Sequence, residues 1–275
     1  MSSVGLVTGT SSGMGLHTAV ELARRGMVVV ATMRDMDRNG HLLAAAQRAG
    51  VEVDVRPLDV TDHAAARACV DGVLADHGHL DVLVNNAGRG AVGTAEQLSL
   101  DEVRAQLEVN YLGPVALTKL VLPHMRAAGS GRVLTVTSVG GAVGQPFADA
   151  YCGAKFAVEG FMQSLATVVL AHGVWVSVIE PAAVSSEFVG NVDRPEVSDE
   201  DPYAAQLRAY VARTEGAFAA AQSAVDAARS IAEAVTADGY RFRWQTSEAA
   251  GAFAGLSLGD LDGSRVLGAT RGWIE

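Results

Sequence analysis

Val4-Gly5-Leu6-Val7-Thr8-Gly9-Thr10-Ser11-Ser12-Gly13-Met14-Gly15-Leu16 is the stretch that decides the fold. Val4–Thr8 is a short apolar, β-branched run that reads as a buried strand. Gly13–Arg25 repeats apolar groups at helical spacing, with Leu16, Ala19, Val20 and Ala23 on one face. Between them lies a turn with glycines at 9, 13 and 15. Glycine permits a tight turn and lets backbone N–H groups approach a phosphate, which then meets the positive end of the helix. A glycine-rich connection by itself is weak evidence, but here a strand precedes it and a helix follows. Gly9, Ser11, Ser12, Gly13, Met14 and Gly15 are therefore the first candidate ligand-binding residues.

Outward from this stretch the alternation continues. Strands are predicted over Met27–Thr32, Val51–Arg56, Leu80–Val84, Arg132–Thr137 and Val174–Ile179. Helices are predicted through about Ala49 and over Asp62–His77, Ser99–Asn110, Gly113–Ala128 and Tyr151–His172. Such alternation predicts an α/β fold: a Rossmann-like, doubly wound parallel sheet with right-handed crossovers. The ligand crevice is expected outside the C-terminal ends of the strands. After Pro181 the pattern changes. Residues from about 185 to 221 are polar, with Pro195, Pro202 and a helical stretch near Tyr203–Ala220. A segment of this length is expected to cover a substrate, and Phe188, Val189, Tyr203, Leu207 and Tyr210 supply apolar groups for it. Residues from about 222 to 275 form a C-terminal extension, with an amphipathic helix over Ser223–Ala237 and an edge strand near Tyr240–Gln245. With no repeat, linker or low-complexity tract, 1–275 is read as a single domain.

Composition narrows the class of function. Hydrophobic residues make up 49% of the chain but aromatics only 5%, so Val, Leu and Ala must fill the core. The net charge of −10 and the scattered basic residues argue against nucleic acid as a partner. No run approaches the roughly 18 apolar residues of a membrane span. The chain opens directly into a strand pattern, so no signal peptide is expected. Cys69 and Cys152 are too few for a disulfide framework, which points to a reduced, cytoplasmic setting. Of the seven histidines only His77 and His79 are close, and no carboxylates support them, so no metal site is expected.

The glycine spacing GxxxGxG resembles that of the short-chain dehydrogenase/reductase family, and other marks of that family follow in order across residues 4–190. Asp59-Val60 ends the third predicted strand, where the family binds adenine. Asn85-Asn86-Ala87-Gly88 matches its NNAG motif at the end of the fourth. Asn110 lies in Val-Asn-Tyr-Leu-Gly, Ser138 follows the fifth strand, and Tyr151 and Lys155 come thirteen and seventeen residues later. Pro181-Ala182-Ala183-Val184-Ser185-Ser186 departs from the family's Pro-Gly-x-Val-x-Thr but keeps a hydroxyl at Ser186. The resemblance implies a nicotinamide cofactor held by the glycine loop and by Asp59, Val60, Asn85, Ala87, Gly88, Tyr151, Lys155, Pro181, Val184 and Ser186. An acidic residue after the second strand would hold the ribose hydroxyls of NAD(H), and an arginine the 2′-phosphate of NADP(H). The segment Ala31-Thr32-Met33-Arg34-Asp35 offers both types. It looks like the steroid and retinol dehydrogenase branch, in which an arginine at the position of Arg34 goes with NADP(H). NADP(H) is therefore favoured, with NAD(H) the alternative.

Tyr151 and Lys155, four residues apart on a helix, project from one face. Hydride reduction of a ketone needs an acid for the developing alkoxide. A tyrosine beside an ammonium can give up and retake that proton. Ser138 supplies a hydrogen bond to the substrate oxygen. In the family, the asparagine at the position of Asn110 supports a water chain. These four residues predict interconversion of a ketone and a secondary alcohol on a fairly apolar small molecule, such as a steroid, retinoid or polyketide-like ketone. A non-catalytic NADP-binding regulatory or scaffold protein of the same fold is the alternative, although such proteins usually lose Tyr or Lys. Nucleotide-sugar epimerases and dehydratases expect a TGxxGxxG loop, which this sequence lacks. Family members often form homodimers or homotetramers through the helices predicted here at Gly113–Ala128 and Tyr151–His172, and the same assembly is expected.

Overall fold

The computed structural model describes residues 2–186, 192, 200–219 and 221–274. Strand β1 (Val4–Thr8) is buried along its whole length, because it lies at the centre of a sheet covered on both faces. The other strands of this sheet are β2 (Val28–Met33), β3 (Asp54–Pro57), β4 (Val82–Asn85), β5 (Gly131–Val136), β6 (Val174–Glu180) and, last in the chain, β9 (Arg243–Gln245). Their order is β3-β2-β1-β4-β5-β6-β9, and every pairing is parallel. Leu6 sits between Val30 of β2 and Leu83 of β4. A strand buried on both faces has no polar side to alternate, which is why the inner strands β1 and β2 read as almost continuously apolar, while β3 and β9 at the edges do not.

Helices α1 (Gly13–Arg24), α2 (Gly40–Ala49) and α8 (Ala224–Thr236) cover one face, where Leu16, Leu22, Leu42 and Ile231 are buried with Val29 and Val84. Helices α3 (His63–His77), α5 (Gly113–Ala128) and α6 (Asp149–Leu170) cover the other, where Val70, Leu117, Val121 and Met162 meet Leu6 and Val176. Short helix α4 (Leu100–Leu107) starts with a capping box, Ser99 and Glu102 each bonding the other's backbone. The doubly wound sheet expected from the alternation is therefore the fold.

Departures from the sequence reading have local causes. The third strand begins at Asp54 rather than Val51, because Gly50 turns left-handed (φ 68°) to end α2, and Val51 and Val53 then pack against the core before pairing begins. The helix expected to run to Asn110 stops at Leu107 and continues as a π-helical turn, Glu108–Leu112, which leads into α5. Of the covering segment, residues 187–191, 193–199 and 220 lie outside the described residues, and Phe188 and Val189 with them. Its described parts are a two-residue strand β7 (Val184–Ser185), which pairs in parallel with β8 (Gln222–Ser223), and helix α7 (Ala204–Ala219). The C-terminal extension ends in two further helices, α9 (Glu248–Leu258) and α10 (Ser264–Arg271). The alanine and glycine of Ala249–Gly255 carry no polar–apolar period, so α9 gave no helical signal.

Candidate active site

Strand order reverses between β1 and β4, and at the C-terminal ends of these strands opens a cleft of about 630 Å³. A parallel doubly wound sheet leaves such a crevice because the connections on either side of the reversal turn to opposite faces. The glycine loop forms one wall. Gly9 and Gly13 have left-handed backbones (φ 69° and 58°). A Cβ on Gly15 would lie 2.2 Å from the Gly9 carbonyl oxygen and 2.3 Å from Asn86 Nδ2. Position 15 is thus closed too tightly for any side chain. Helix α1 begins at Ser12 with no side-chain cap, so its first N–H groups have no side-chain acceptor. An uncapped helix start behind a loop with glycine at 9, 13 and 15 is a cradle that fits a pyrophosphate.

The loop after β4 locks this cradle. Asn86 Nδ2 donates to the carbonyls of Thr8 (2.8 Å) and Gly9 (3.0 Å). Thr8 Oγ1 accepts from the backbone N–H groups of Asn86 and Ala87, both at 3.0 Å. Ala87 and Gly88 line the cleft as expected, and Asn86 joins them. Asn85 is not among the lining residues. It is buried, and its amide donates to Thr118 Oγ1 (3.4 Å) and Thr135 Oγ1 (3.3 Å), tying α5 to β5. Two adjacent asparagines on an extended strand end face opposite ways. The sequence motif alone does not say which of the pair faces the loop; the register does.

At the far end of the cleft stand Arg34, Asp35 and Arg38, opposite Asp59 and Val60. Burial pushes the Asp59 carboxyl up, but hydrogen bonds from the Thr61 N–H and hydroxyl and the charge of Arg34 hold it below the usual carboxylate range. Arg38 was not foreseen. It reaches the cleft because the turn Met36–Arg38, capped by Asp35 through a bond from the Asp37 N–H, folds the chain back after β2.

At the other end, α6 brings Tyr151 and Lys155 to the cleft on one helix face. Ser138, just past β5, accepts from the Gly140 N–H at 2.9 Å and is hydrogen-bonded to the Tyr151 hydroxyl. Lys155 Nζ donates to the Val136 carbonyl (3.0 Å) and lies 5.7 Å from the centre of the Tyr151 ring. Asn110, in the π-helical turn, is buried behind Gly88. Its amide donates to the Arg89 carbonyl (2.9 Å) while its oxygen accepts from the Arg89 N–H (3.3 Å). A Cβ on Gly88 would be 3.1 Å from Asn110 Oδ1 and 3.8 Å from Lys155 Nζ, so these two side chains approach one another across that glycine. Pro181, Val184 and Ser186 line the same end, with Ser186 packed opposite Gly13.

Burial raises the Tyr151 phenol well above its ordinary value, the Ser138 hydrogen bond opposes this, and Cys152 and Tyr210 add to it. Burial also lowers Lys155 to about 8, against the raising influence of Glu159. The pair therefore presents a protonated phenol beside an ammonium that titrates just above neutrality: an acid with a cationic neighbour. Burial pushes the Cys152 thiol up to about 11, and its Sγ contacts the Val143 carbonyl at 3.8 Å, which makes it a packing residue. Beyond Tyr151, Phe147, Leu207 and Tyr210 are buried together, and Tyr203, Trp273 and Ile274 pack on them. Through Tyr210, helix α7 brings this apolar cluster near the phenol.

A sequence profile of the short chain dehydrogenase family matches residues 3–197. Estradiol 17-beta-dehydrogenase 1 of Rattus norvegicus is 41% identical over 198 residues, 68% of this chain and 56% of its own length. Retinol dehydrogenase 8 of Bos taurus is 39% identical over 191 residues, 68% of this chain and 61% of its own. The chain thus spans less than two thirds of either relative. A short-chain dehydrogenase from Streptomyces avermitilis superposes with a TM-score of 0.82 at 32% identity, over 98% of this chain and 96% of that one. An alcohol dehydrogenase from Thermococcus sibiricus complexed with 5-hydroxy-NADP does so with a TM-score of 0.72 at 25% identity, over 89% and 96%. A short chain dehydrogenase/reductase from Burkholderia phymatum in complex with NAD gives 0.81 at 27% identity, over 93% and 92%.

Proposed function

Since the chain belongs to the short-chain dehydrogenase family, we propose that it is an NADP(H)-preferring oxidoreductase that interconverts a ketone and a secondary alcohol on a fairly apolar small molecule. The observation that carries this reading is the Tyr151–Ser138 hydrogen bond at the cleft end, with the Lys155 ammonium beside it. When bound, a nicotinamide dinucleotide would supply or accept the hydride. Gly9, Ser11, Ser12, Gly13, Met14 and Gly15 would hold its pyrophosphate, Asp59, Val60, Ala87 and Gly88 its adenosine side, and Lys155, Pro181, Val184 and Ser186 its nicotinamide side. Tyr151 Oη donates its proton to the substrate oxygen in reduction and takes it back in oxidation. Ser138 Oγ orients that oxygen. The Lys155 ammonium stabilises the phenolate when the proton has left. Asn110, by fixing the Arg89 backbone, holds the loop that faces Lys155.

Arg34 and Arg38, two cations at the adenosine end, favour the extra phosphate of NADP(H) over the bare ribose of NAD(H). The apolar cluster of Phe147, Leu207 and Tyr210 near the phenol favours a substrate with little polarity beyond its reacting group. A steroid-, retinoid- or polyketide-like ketone meets that description, and the names of the rat and bovine relatives agree with it. We infer further a cytoplasmic homodimer or homotetramer that uses the outer face of α6, where Phe156 and Val168 are exposed. Stoichiometric NADPH oxidation by the purified protein with a panel of cyclic and long-chain ketones tests the activity. Turnover of apolar ketones is expected, and absence of turnover across the panel in both directions would overturn the reading.

A further inference from the structure

One turn beyond Lys155 on α6, and on the same face, Glu159 is buried at 3% exposure. A buried carboxylate is costly unless each oxygen is satisfied, and here both are. Oε1 accepts from Thr137 Oγ1 at 2.7 Å, and Oε2 accepts from Arg243 at 2.5 Å. Arg243 also bonds Glu180, at the end of β6, whose second oxygen accepts from Gln245 Nε2 at 2.5 Å. Among the described residues, the groups placed against Glu159 come from several elements. Its own helix brings Lys155, the end of β5 brings Thr137, β6 brings Glu180, and β9 brings Arg243. The turn after Ser138 brings only Gly141, where a Cβ would come 2.5 Å from Glu159 Oε1. The charged members are two acids and two bases, so the cluster is neutral only with Lys155 counted in it. Lys155 itself is buried, and its one bond to the Val136 carbonyl gives it no counter-charge.

We propose that Glu159 is a positioning residue for Lys155: its carboxylate, fixed by Thr137 and by Arg243 of the last strand, is the counter-charge that keeps the ammonium protonated beside Tyr151. This rests on the reading of Tyr151 and Lys155 as the proton-handling pair. It gives the C-terminal extension a role in the chemistry, since β9 supplies the arginine that holds Glu159 in place. Burial and Glu180 raise the Glu159 carboxyl, and Thr137 and Arg243 oppose that rise. Glu159 in turn opposes the burial that lowers Lys155.

The sequence offers a direct reading of this coupling, because Lys119 and Lys155 are its only lysines and Lys119 is exposed. In protein carrying ¹³C-labelled lysine, the two side-chain ε-CH₂ signals can be followed through a pH titration, with Lys119 as the internal control. Glu159→Gln keeps the volume and removes the charge. It should lower the Lys155 midpoint by on the order of one pH unit, the effect of losing a nearby opposite charge. Glu159→Asp, which keeps the charge, should restore most of it. The alkaline fall in kcat for ketone reduction should move down with the Lys155 midpoint, whereas a merely structural role would lower kcat equally at all pH values. If Lys155 titrates at the same pH in wild type and Glu159→Gln, the proposal is wrong. Should Glu159→Gln not fold, the wild-type titration decides. Lys155 must then show a second, smaller inflection in acid, where Glu159 takes up its proton, and a single inflection refutes the coupling. Failure of the assigned activity is a separate result, read from absent turnover in wild type while the lysine titration still reports on Glu159.

Discussion

Gly15→Ala and Gly255→Ala make the same chemical change, yet the structure predicts opposite outcomes. At Gly15 the new methyl would lie 2.2 Å from the Gly9 carbonyl oxygen and 2.3 Å from Asn86 Nδ2, so the loop or the asparagine must move by about 0.8 Å. Overpacking of this kind costs about 1–3 kcal/mol. Shifting Asn86 also weakens its two bonds to the Thr8 and Gly9 carbonyls, each worth roughly 1 kcal/mol. The total is about 2–5 kcal/mol, or a fall in Tm of roughly 4–10 °C for a domain of this size. Because the displaced atoms line the cleft, NADPH affinity should fall at least about tenfold for each 1.4 kcal/mol lost there. At Gly255, inside α9 and exposed, a Cβ meets nothing within 4 Å. Alanine there should stabilise by about 0.5–1 kcal/mol, because it loses less backbone entropy on folding. Differential scanning fluorimetry and NADPH fluorescence titration read both effects. A Gly15→Ala protein that melts and binds NADPH like the wild type would refute the description of the cradle.

Two further outcomes follow from the same site and surface. Arg34→Ala and Arg38→Ala should each weaken NADPH roughly ten- to hundredfold, the value of one charged hydrogen bond, and leave NADH nearly unchanged; equal losses for both cofactors in binding titrations would remove the NADP preference. Light scattering at micromolar concentration should give a multiple of 28.4 kDa, and the monomer mass alone would remove the proposed assembly.

The doubly wound sheet was legible because buried parallel strands leave largely apolar, β-branched runs, as in Val4–Thr8 and Val174–Ile179, separated by segments with helical period. The positions of Tyr151, Lys155 and the glycine loop were legible for a different reason: each depends on short-range spacing, which the chain carries on its face. What escaped depended on tertiary placement. Asn86 and Asn85 are neighbours in sequence, and only the register of β4 against β1 and β5 sends one to the glycine loop and the other into the sheet. Arg38 reaches the cleft through a turn whose only local mark is Asp35. The Glu159–Arg243 contact joins residues 84 apart in sequence, and no local pattern reports such a pairing. The acidic, proline-bearing stretch after Ser186, expected to cover the substrate, lies largely outside the described residues.

The proposed chemistry turns on one proton, the one held by Tyr151 against Ser138 in reach of Lys155. Tyr151→Phe removes that hydroxyl and little else. Measured side by side on wild type and variant, NADPH binding should stay within a few-fold, while kcat for ketone reduction should fall by about two to four orders of magnitude, the usual contribution of a positioned general acid. A variant that binds NADPH normally and turns over at near wild-type rate would contradict the assignment.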